Sequence, residues 1–587
     1  MPVNTMEEQI VMTPKAKTDK STTIAIERRR VELSDTSENR KIHVAGGDHT
    51  GIIINKQIGN GSGGGGGGGG HQGGIIDDSP PHQLSLEFKV FLVNTTTQKH
   101  TLESRQLRFW FKDEFPLAER AKYSQEFFKE LVSPLEFPRD YVGFITKILK
   151  LMQVRYTGMR KIEIELRQLE ETDRPPERPM STEPGLAGER TEVTERKLLE
   201  MIECAYPNPM SLQEIAKQTC SSEEEVRHHV SNLQSKGLIK SLDKENTSFT
   251  RVVLNETNIR IVKQMPKMVK AKQPSIAIIT AHYCEKLAVD AMIENQETFV
   301  RYTTVGESNV YTLGNMGSHR VVSTKLPSVG HTREAMIAAG NTTTRLLGTF
   351  QKVDYVFLIG VGGGVPHFTD YNKHVRLGDV VVSAPTDSQK FVYLYCDKAV
   401  ENATGGIEFE TRGWIPSSLV LQNIAHELQQ EGEEEWATAA EEGMSILSEQ
   451  DCDFARPPAT SDKLYMAIGE KDVIEVAHPA APSPVQPKRR MESRVHLGPV
   501  ASGRMVARDD HIRQELAARL GILAYDSEYD SVLESIIGNR RDCFVVIRGV
   551  ADYKDGTRRK DWQPHAALLA AAFAKAIVTR MDPPIDD

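Results

Sequence analysis

The chain has 587 residues and a formal net charge of −9, from 72 basic and 81 acidic side chains. That length exceeds one ordinary core and calls for about three or four domains, while the mild acidity excludes a chain that is basic throughout and coats nucleic acid. The six cysteines are scattered, with no CxxC pair and no His cluster at metal-ligand spacing. This points to reduced thiols in a cytoplasmic or nuclear protein, with no metal and no cofactor. No apolar run approaches the roughly 20 residues that cross a bilayer, and the first twenty residues lack an apolar signal core, so no membrane partner is expected.

Residues 1–83 read as disordered, because charged and polar runs lead into the unbroken glycine run Gly63–Gly70, which loses too much backbone entropy to pack. A first folded unit of α+β type is expected over 84–169. LSLEFKVFLVN alternates like a half-buried strand, LESRQLRFWF follows as a second element, and Leu117–Leu131 and Tyr141–Met152 have helical spacing. RKIEIELRQL closes the unit as a strand, and Trp110 between Phe109 and Phe111 reads as core. No chemistry is evident here. Residues 170–191 form a proline-rich linker.

The pattern then changes. Leu198, Leu199, Ile202 and Ala205 share a helical face; Ser211 with Glu214, and Ser222 with Glu225, are capping boxes opening two further helices; Gly237 ends the third. LIKSLDKENTSFTRVVL reads as two strands turning near Asn246. Three short helices and a hairpin over 192–255 resemble a winged helix-turn-helix. Such a fold would bring its third helix to DNA through Arg227, His228, Asn232 and Lys236. Glu223, Glu224 and Glu225 open that helix, where phosphates would lie. Weak DNA binding, or a protein partner, is therefore expected. A basic connector, 256–274, follows.

The last domain, 275–582, carries the chemistry. SIAIIT is a short apolar run of the kind buried in a parallel sheet, and Glu285 falls just beyond its C-terminal end, where open α/β sheets place ligands. YTLGNMGSHRVVSTK reads as a hairpin and EAMIAAGNTTTRLLGTF as an amphipathic helix. A buried strand runs into Gly360, Gly362, Gly363 and Gly364, a glycine loop expected to approach a ligand and to accept positive φ. Residues 431–490, acidic and then proline-rich, read as an insertion that is exposed and either a lid or without function.

The order of Glu285 after its strand, LPSVG, LIGVGGGVP, RLGDVVVS, GPVASG, DSEYDS and VIRGVADY resembles the purine nucleoside phosphorylase and uridine phosphorylase superfamily, and within it the methylthioadenosine/S-adenosylhomocysteine nucleosidase branch. The resemblance covers about half the chain. It implies an α/β fold with a central mixed sheet and flanking helices, and cleavage of a nucleoside N-glycosidic bond. It assigns Glu285 to water activation, Asp552 to protonation of a purine at N7, Glu528 to the ribose hydroxyls with Ser527 beside it, and Val506 and Ala507 to the base pocket. The chain departs from the family pattern at Asp526, where glutamate is usual, at Ser527 for methionine, and at Val361 for serine or threonine. Leu358 stands where phosphorylases carry a phosphate-binding arginine, which favours water over phosphate. Arg333, Arg376 and Arg548 are the cations that could restore phosphate binding. A purine nucleosidase, a nucleoside sensor coupled to the winged helix, and a scaffold all stay open; a homo-oligomer is compatible with each.

Overall fold

The computed structural model describes residues 7–31, 42–45, 52–55, 82–93, 100–133, 137, 141–172, 193–252, 259–262, 264–266, 268–269, 273–301, 309–327, 333–402, 406–449, 452–467, 473–481, 490–526, 529–553 and 560–584. They divide into two compact units, residues 1–180 with 367–374 and 463–485, and the remainder.

The first unit starts with strands β1 (Glu7–Lys17), β2 (Ser21–Val31), β3 (Ile42–Ala45) and β4 (Ile52–Asn55). Strands β5 (Leu84–Val93), β6 (His100–Phe111) and β7 (Met159–Thr172) follow, with helices α1 (Leu117–Leu131) and α2 (Tyr141–Val154) between the last two. The helices and the closing strand lie where the periodicity places them. Phe127 and Phe128 of α1 are fully buried and meet Phe109 and Phe88 of the sheet with ring centroids 5.9 and 5.3 Å apart. Two segments depart from expectation. Residues 7–31, 42–45 and 52–55, read as disordered, form strands: β4 pairs with β1 and β3, and β1 and β2 make a hairpin whose β2 pairs antiparallel with β7. Ile24, Ala25 and Ile26 are buried by that pairing, and a partner some 140 residues away leaves no local trace in a charged sequence. The glycine run lies outside the described residues. The second departure is the hairpin Leu464–Ala467 and Val473–Val476, from the expected insertion, which joins the sheet beside β5.

The second unit opens with α3 (Glu195–Ala205), β8 (Met210–Ser211), α4 (Leu212–Thr219), α5 (Glu223–Ser235), β9 (Ile239–Ser241) and β10 (Ser248–Arg251). Ser211 with Glu214 forms the expected capping box, Ser222 accepts from the Glu225 amide without the reciprocal glutamate contact, and Thr194, not singled out as a cap in the sequence, caps α3; Leu198, Ile202, Ile215, Val226, Val230, Leu233 and Phe249 fill the small core. The turn between β9 and β10 contains Asn246 at φ 52°.

The remaining elements are β11 (Ile259–Val262), β12 (Ile276–Thr280), α6 (Tyr283–Ala291), β13 (Glu294–Arg301), β14 (Asn309–Met316), β15 (His319–Lys325), α7 (Arg333–Thr349), β16 (Tyr355–Gly364), β17 (Val380–Ser383), β18 (Tyr393–Glu401), β19 (Ile407–Trp414), α8 (Val420–Glu431) and α9 (Glu433–Leu447). After the hairpin already placed (β20 and β21) come β22 (Val495–Gly498), β23 (Val500–Ser502), α10 (Arg504–Arg508), α11 (Asp510–Leu520), β24 (Ala524–Tyr525), α12 (Asp530–Gly538), β25 (Phe544–Asp552) and α13 (Gln563–Arg580). A thirteen-stranded mixed sheet is centred on the parallel neighbours β15, β12, β16 and β25. Helix α13 is buried almost all round, from Ala566 to Val578, as an apolar helix without a polar face requires. Part of the supposed connector belongs to the sheet, since β11 pairs parallel with β13. Part of the supposed insertion is core: Trp436, Ala439, Ala440 and Leu447 of α9 pack in the main cluster with α13. The alanines of WATAAEEG read as acidic surface because the glutamates on either side of them, Glu433–Glu435 and Glu441–Glu442, mask that apolar stripe.

Candidate active site

The C-terminal ends of β12, β16 and β25 lie side by side, with Ile279 opposite Leu358, Val361 opposite Gly549 and Gly363 opposite Asp552. The chain leaves β12, turns at Ala281 and His282 and enters α6. This puts Glu285 in the first helical turn, where the helix dipole favours an anion.

Glu285 is 1% exposed and its carboxylate accepts four hydrogen bonds. Oε2 accepts from the Ala281 and His282 amides, both at 2.8 Å. Oε1 accepts from the Val361 amide at 2.8 Å and lies 2.8 Å from His282 Nδ1. Burial alone would push this carboxyl up. The charge of the His282 ring and its hydrogen bond, with the amides of His282 and Val361, outweigh burial and bring it down to about 2. The group is ionised across the neutral range, so Nδ1 carries the proton in the imidazole contact.

The glycine strand makes room for this carboxylate. A Cβ at Gly360 would stand 2.7 Å from Glu285 Oε1, and one at Gly362 would stand 2.8 Å from the Tyr525 carbonyl oxygen. Positive φ, the other use expected of these glycines, is absent from Gly360, Gly362, Gly363 and Gly364, because β16 stays extended through Gly364. The main-chain amide of Val361 holds Glu285 where a hydroxyl was expected.

Asp552 is the last residue of β25 and is 4% exposed. Beneath it runs a buried polar chain. Arg548 is fully buried and donates to Asp526 Oδ2 from Nε at 3.2 Å and from Nη2 at 2.9 Å. The Tyr393 hydroxyl donates to Asp526 Oδ1 at 2.5 Å, and the Arg548 guanidinium lies 4.0 Å from the Tyr529 ring centroid. The aspartate in the usual glutamate position is thus an internal counter-ion. Arg548 is committed to it, and Arg376 donates to the Glu492 carbonyl and faces Asp379 at 3.6 Å. Arg333 is exposed at the first residue of α7.

Ser527 and Glu528 lie outside the described residues. Val506 sits on α10 with 1% exposure, packed with Leu394, Cys396 and Leu516, and its carbonyl accepts from Arg513 Nη1 at 2.9 Å. Ala507 follows on the same helix. The residue that sequence reasoning passed over is His282, although its spacing to Glu285 is that of the capping boxes recognised at Ser211 and Ser222.

The winged helix sits against the Glu285 turn. Lys325, at the end of β15, donates to the carbonyls of Cys204 and Tyr206 at 2.7 and 3.2 Å. Tyr206 meets Tyr283 edge-on at 5.7 Å, and Arg251, ion-paired to Glu203 at 2.9 Å, lies 5.4 Å from the Tyr283 ring centroid. A pocket of about 530 Å³ opens at this junction, lined by Arg196, Glu200 and Glu203 of α3 and by His282 and Cys284. On α5, Arg227 and His228 are exposed, whereas Asn232 and Lys236 both donate to Glu195. Glu223, Glu224 and Glu225 are exposed at its start. Among the described residues no group of three or more His, Cys, Asp or Glu could hold a metal, and no helix is long and apolar enough to cross a membrane.

The family model for the phosphorylase superfamily matches residues 275–579, and that for a winged helix-turn-helix domain matches residues 186–253. A nucleotide-binding leucine-rich repeat (NLR)-like protein of Hyaloscypha variabilis is 29% identical over 315 residues, which are 53% of this chain and 29% of that relative. The chain therefore spans less than a third of the length of that relative. Among solved structures, a 5'-methylthioadenosine/S-adenosylhomocysteine nucleosidase of Neisseria meningitidis in complex with methylthio-immucillin-A aligns over 52% of this chain and 99% of its own, at 16% identity and a TM-score of 0.31. The futalosine hydrolase of Helicobacter pylori aligns over 52% and 97%, at 14% identity and a TM-score of 0.31. The superfamily match takes in more than half of the chain, and the protein belongs to the phosphorylase superfamily, joined to a winged helix-turn-helix domain.

Proposed function

We propose that the domain over 275–579 hydrolyses the N-glycosidic bond of a purine nucleoside. The observation that carries this reading is the pair of buried carboxyl groups, Glu285 in the turn that follows β12 and Asp552 at the end of β25, with the glycine strand β16 lying between β12 and β25. In the reaction Glu285 takes a proton from water as the water oxygen bonds to the anomeric carbon. The bond from that carbon to the base nitrogen breaks, and Asp552 delivers a proton to the departing purine. Free base and ribose are the products, and each proton transfer is worth about 10²–10⁴-fold. Water is the preferred nucleophile because Arg548 and Arg376 have buried or main-chain partners already, and phosphate asks for a cationic, bidentate clamp. Glu528 and Ser527 are assigned to the ribose, and Val506 and Ala507 to the base, on their motif positions alone.

The test is incubation of the full chain with adenosine, inosine, uridine and 5′-thioether nucleosides, with and without phosphate. Purine release at a rate independent of phosphate is expected; ribose 1-phosphate would contradict hydrolysis.

A second reading has its own support. Tyr283, two residues before Glu285, packs on Tyr206 and Arg251 of the winged helix, so the domain could sense a nucleoside and pass its occupancy to the module. Two of the four candidate DNA contacts, Asn232 and Lys236, are tied to Glu195, which favours a protein partner for that module over tight DNA binding. Titration with duplex DNA should give weak affinity that falls steeply with salt. Tight, sequence-selective binding at physiological salt would reverse this preference.

A further inference from the structure

A carboxylate offers about four acceptor positions, and Glu285 has a donor on each: three main-chain amides and one imidazole. A water molecule cannot donate to Glu285 in this arrangement, and at 1% exposure solvent does not reach it. The four donors are not equal. The amides of Ala281 and His282 belong to the strand-to-helix turn and that of Val361 to β16, so none leaves without breaking secondary structure. The imidazole hangs on a rotatable side chain that is 23% exposed and lines the junction pocket of about 530 Å³ together with residues of α3.

We propose that His282 is a gate on Glu285: its ring caps the carboxylate at rest and swings into the junction pocket to let the nucleophilic water take its place. This rests on the hydrolytic reading above. It makes His282 a positioning residue that acts through Glu285. The three amides keep the carboxylate in place when the ring departs, and only one acceptor position opens. Because the pocket that receives the ring is walled by Arg196, Glu200 and Glu203 of the winged helix, the room for the swing depends on that module staying docked.

The experiment is carbodiimide labelling of Glu285 in the full chain, read by peptide mass spectrometry, together with turnover. In the wild type, labelling of Glu285 is slow. His282→Ala should speed it about 10–100-fold, the change expected on losing one charge-assisted hydrogen bond. His282→Asn, whose amide replaces the Nδ1 donor, should restore protection. His282→Gly, which keeps a favoured N-cap residue, repeats the test should the alanine variant fold poorly. With nucleoside, His282→Ala should raise kcat with KM little changed. Equal labelling of wild type and His282→Ala overturns the gate. So does a loss of kcat in His282→Ala as deep as that in Glu285→Gln, since the ring would then be needed for the chemistry. Gated labelling in a chain that cleaves no nucleoside would leave the gate standing and remove the hydrolytic reading.

Discussion

Two buried carboxylates a strand apart are held by opposite means. Glu285 is 1% exposed and held by three main-chain amides and the ring of His282, whose charge and hydrogen bond do most to lower it. Asp526 is 4% exposed and paired with a full charge, the guanidinium of Arg548, with the Tyr393 hydroxyl as its other partner. Dipoles in a turn can stabilise an anion while leaving one side exchangeable. A buried guanidinium cannot withdraw without leaving an unpaired charge in the sheet. The first arrangement suits a group that must act, and the second suits a group that must not move.

The comparison is broken most sharply at Arg548. Arg548→Met should cost about 3–5 kcal/mol of stability, because Asp526 is left as an uncompensated buried anion. The double variant Arg548→Met/Asp526→Leu should recover much of that loss in thermal denaturation. A single variant as stable as the wild type would mean that Asp526 is solvated or protonated.

A smaller effect is expected from acid. The folded Glu285 carboxyl lies at about 2, below its ordinary 4.5. Its contribution is therefore complete above about pH 4.5 and is lost as pH falls toward 2, by roughly 3 kcal/mol in all. Asp530 works the other way. Burial and the nearby Asp526 raise it from 3.8 to about 6, despite opposing main-chain hydrogen bonds, so its burial costs stability as pH rises between those values. Glu285→Gln should flatten the first slope and Asp530→Asn the second in denaturation followed against pH. Parallel curves for wild type and Glu285→Gln below pH 4.5 would refute the hold of His282 and the three amides on Glu285.

The mildest change is Gly360→Ala. Its methyl would meet Glu285 Oε1 at 2.7 Å, and overpacking of this kind costs about 1–3 kcal/mol. The displaced carboxylate should lower kcat more than it changes KM. Unaltered kinetics would show that the carboxylate position is not set by the glycine strand.

Local signals in the sequence located much of this fold. Ser211 and Ser222 cap their helices through contacts three residues long, and the apolar runs of β12, β25 and, beyond Tyr355, β16 are buried. What escaped was set by distant partners. The β1–β2 hairpin is stable as strand because β7 covers it, and Lys89 meets Glu475 across 386 residues of chain. The site divides in the same way. The placement of Glu285 just past β12 and of Asp552 at the end of β25 was legible from motif and strand order. The role of Asp526 required knowing that Arg548 points at it, and the cap by His282 required the turn that folds its ring back on Glu285.

In the hydrolytic reading Glu285, held anionic in the first turn of α6, activates water for glycosidic cleavage. Its most direct measurement is single-turnover release of purine from a nucleoside by wild type and Glu285→Gln, with nucleoside binding followed by calorimetry on the same preparations. Phosphate-independent release by the wild type is expected, with a loss of at least about 10²-fold in the variant and binding that is largely retained. Equal release by the two proteins, with binding intact in both, would contradict it.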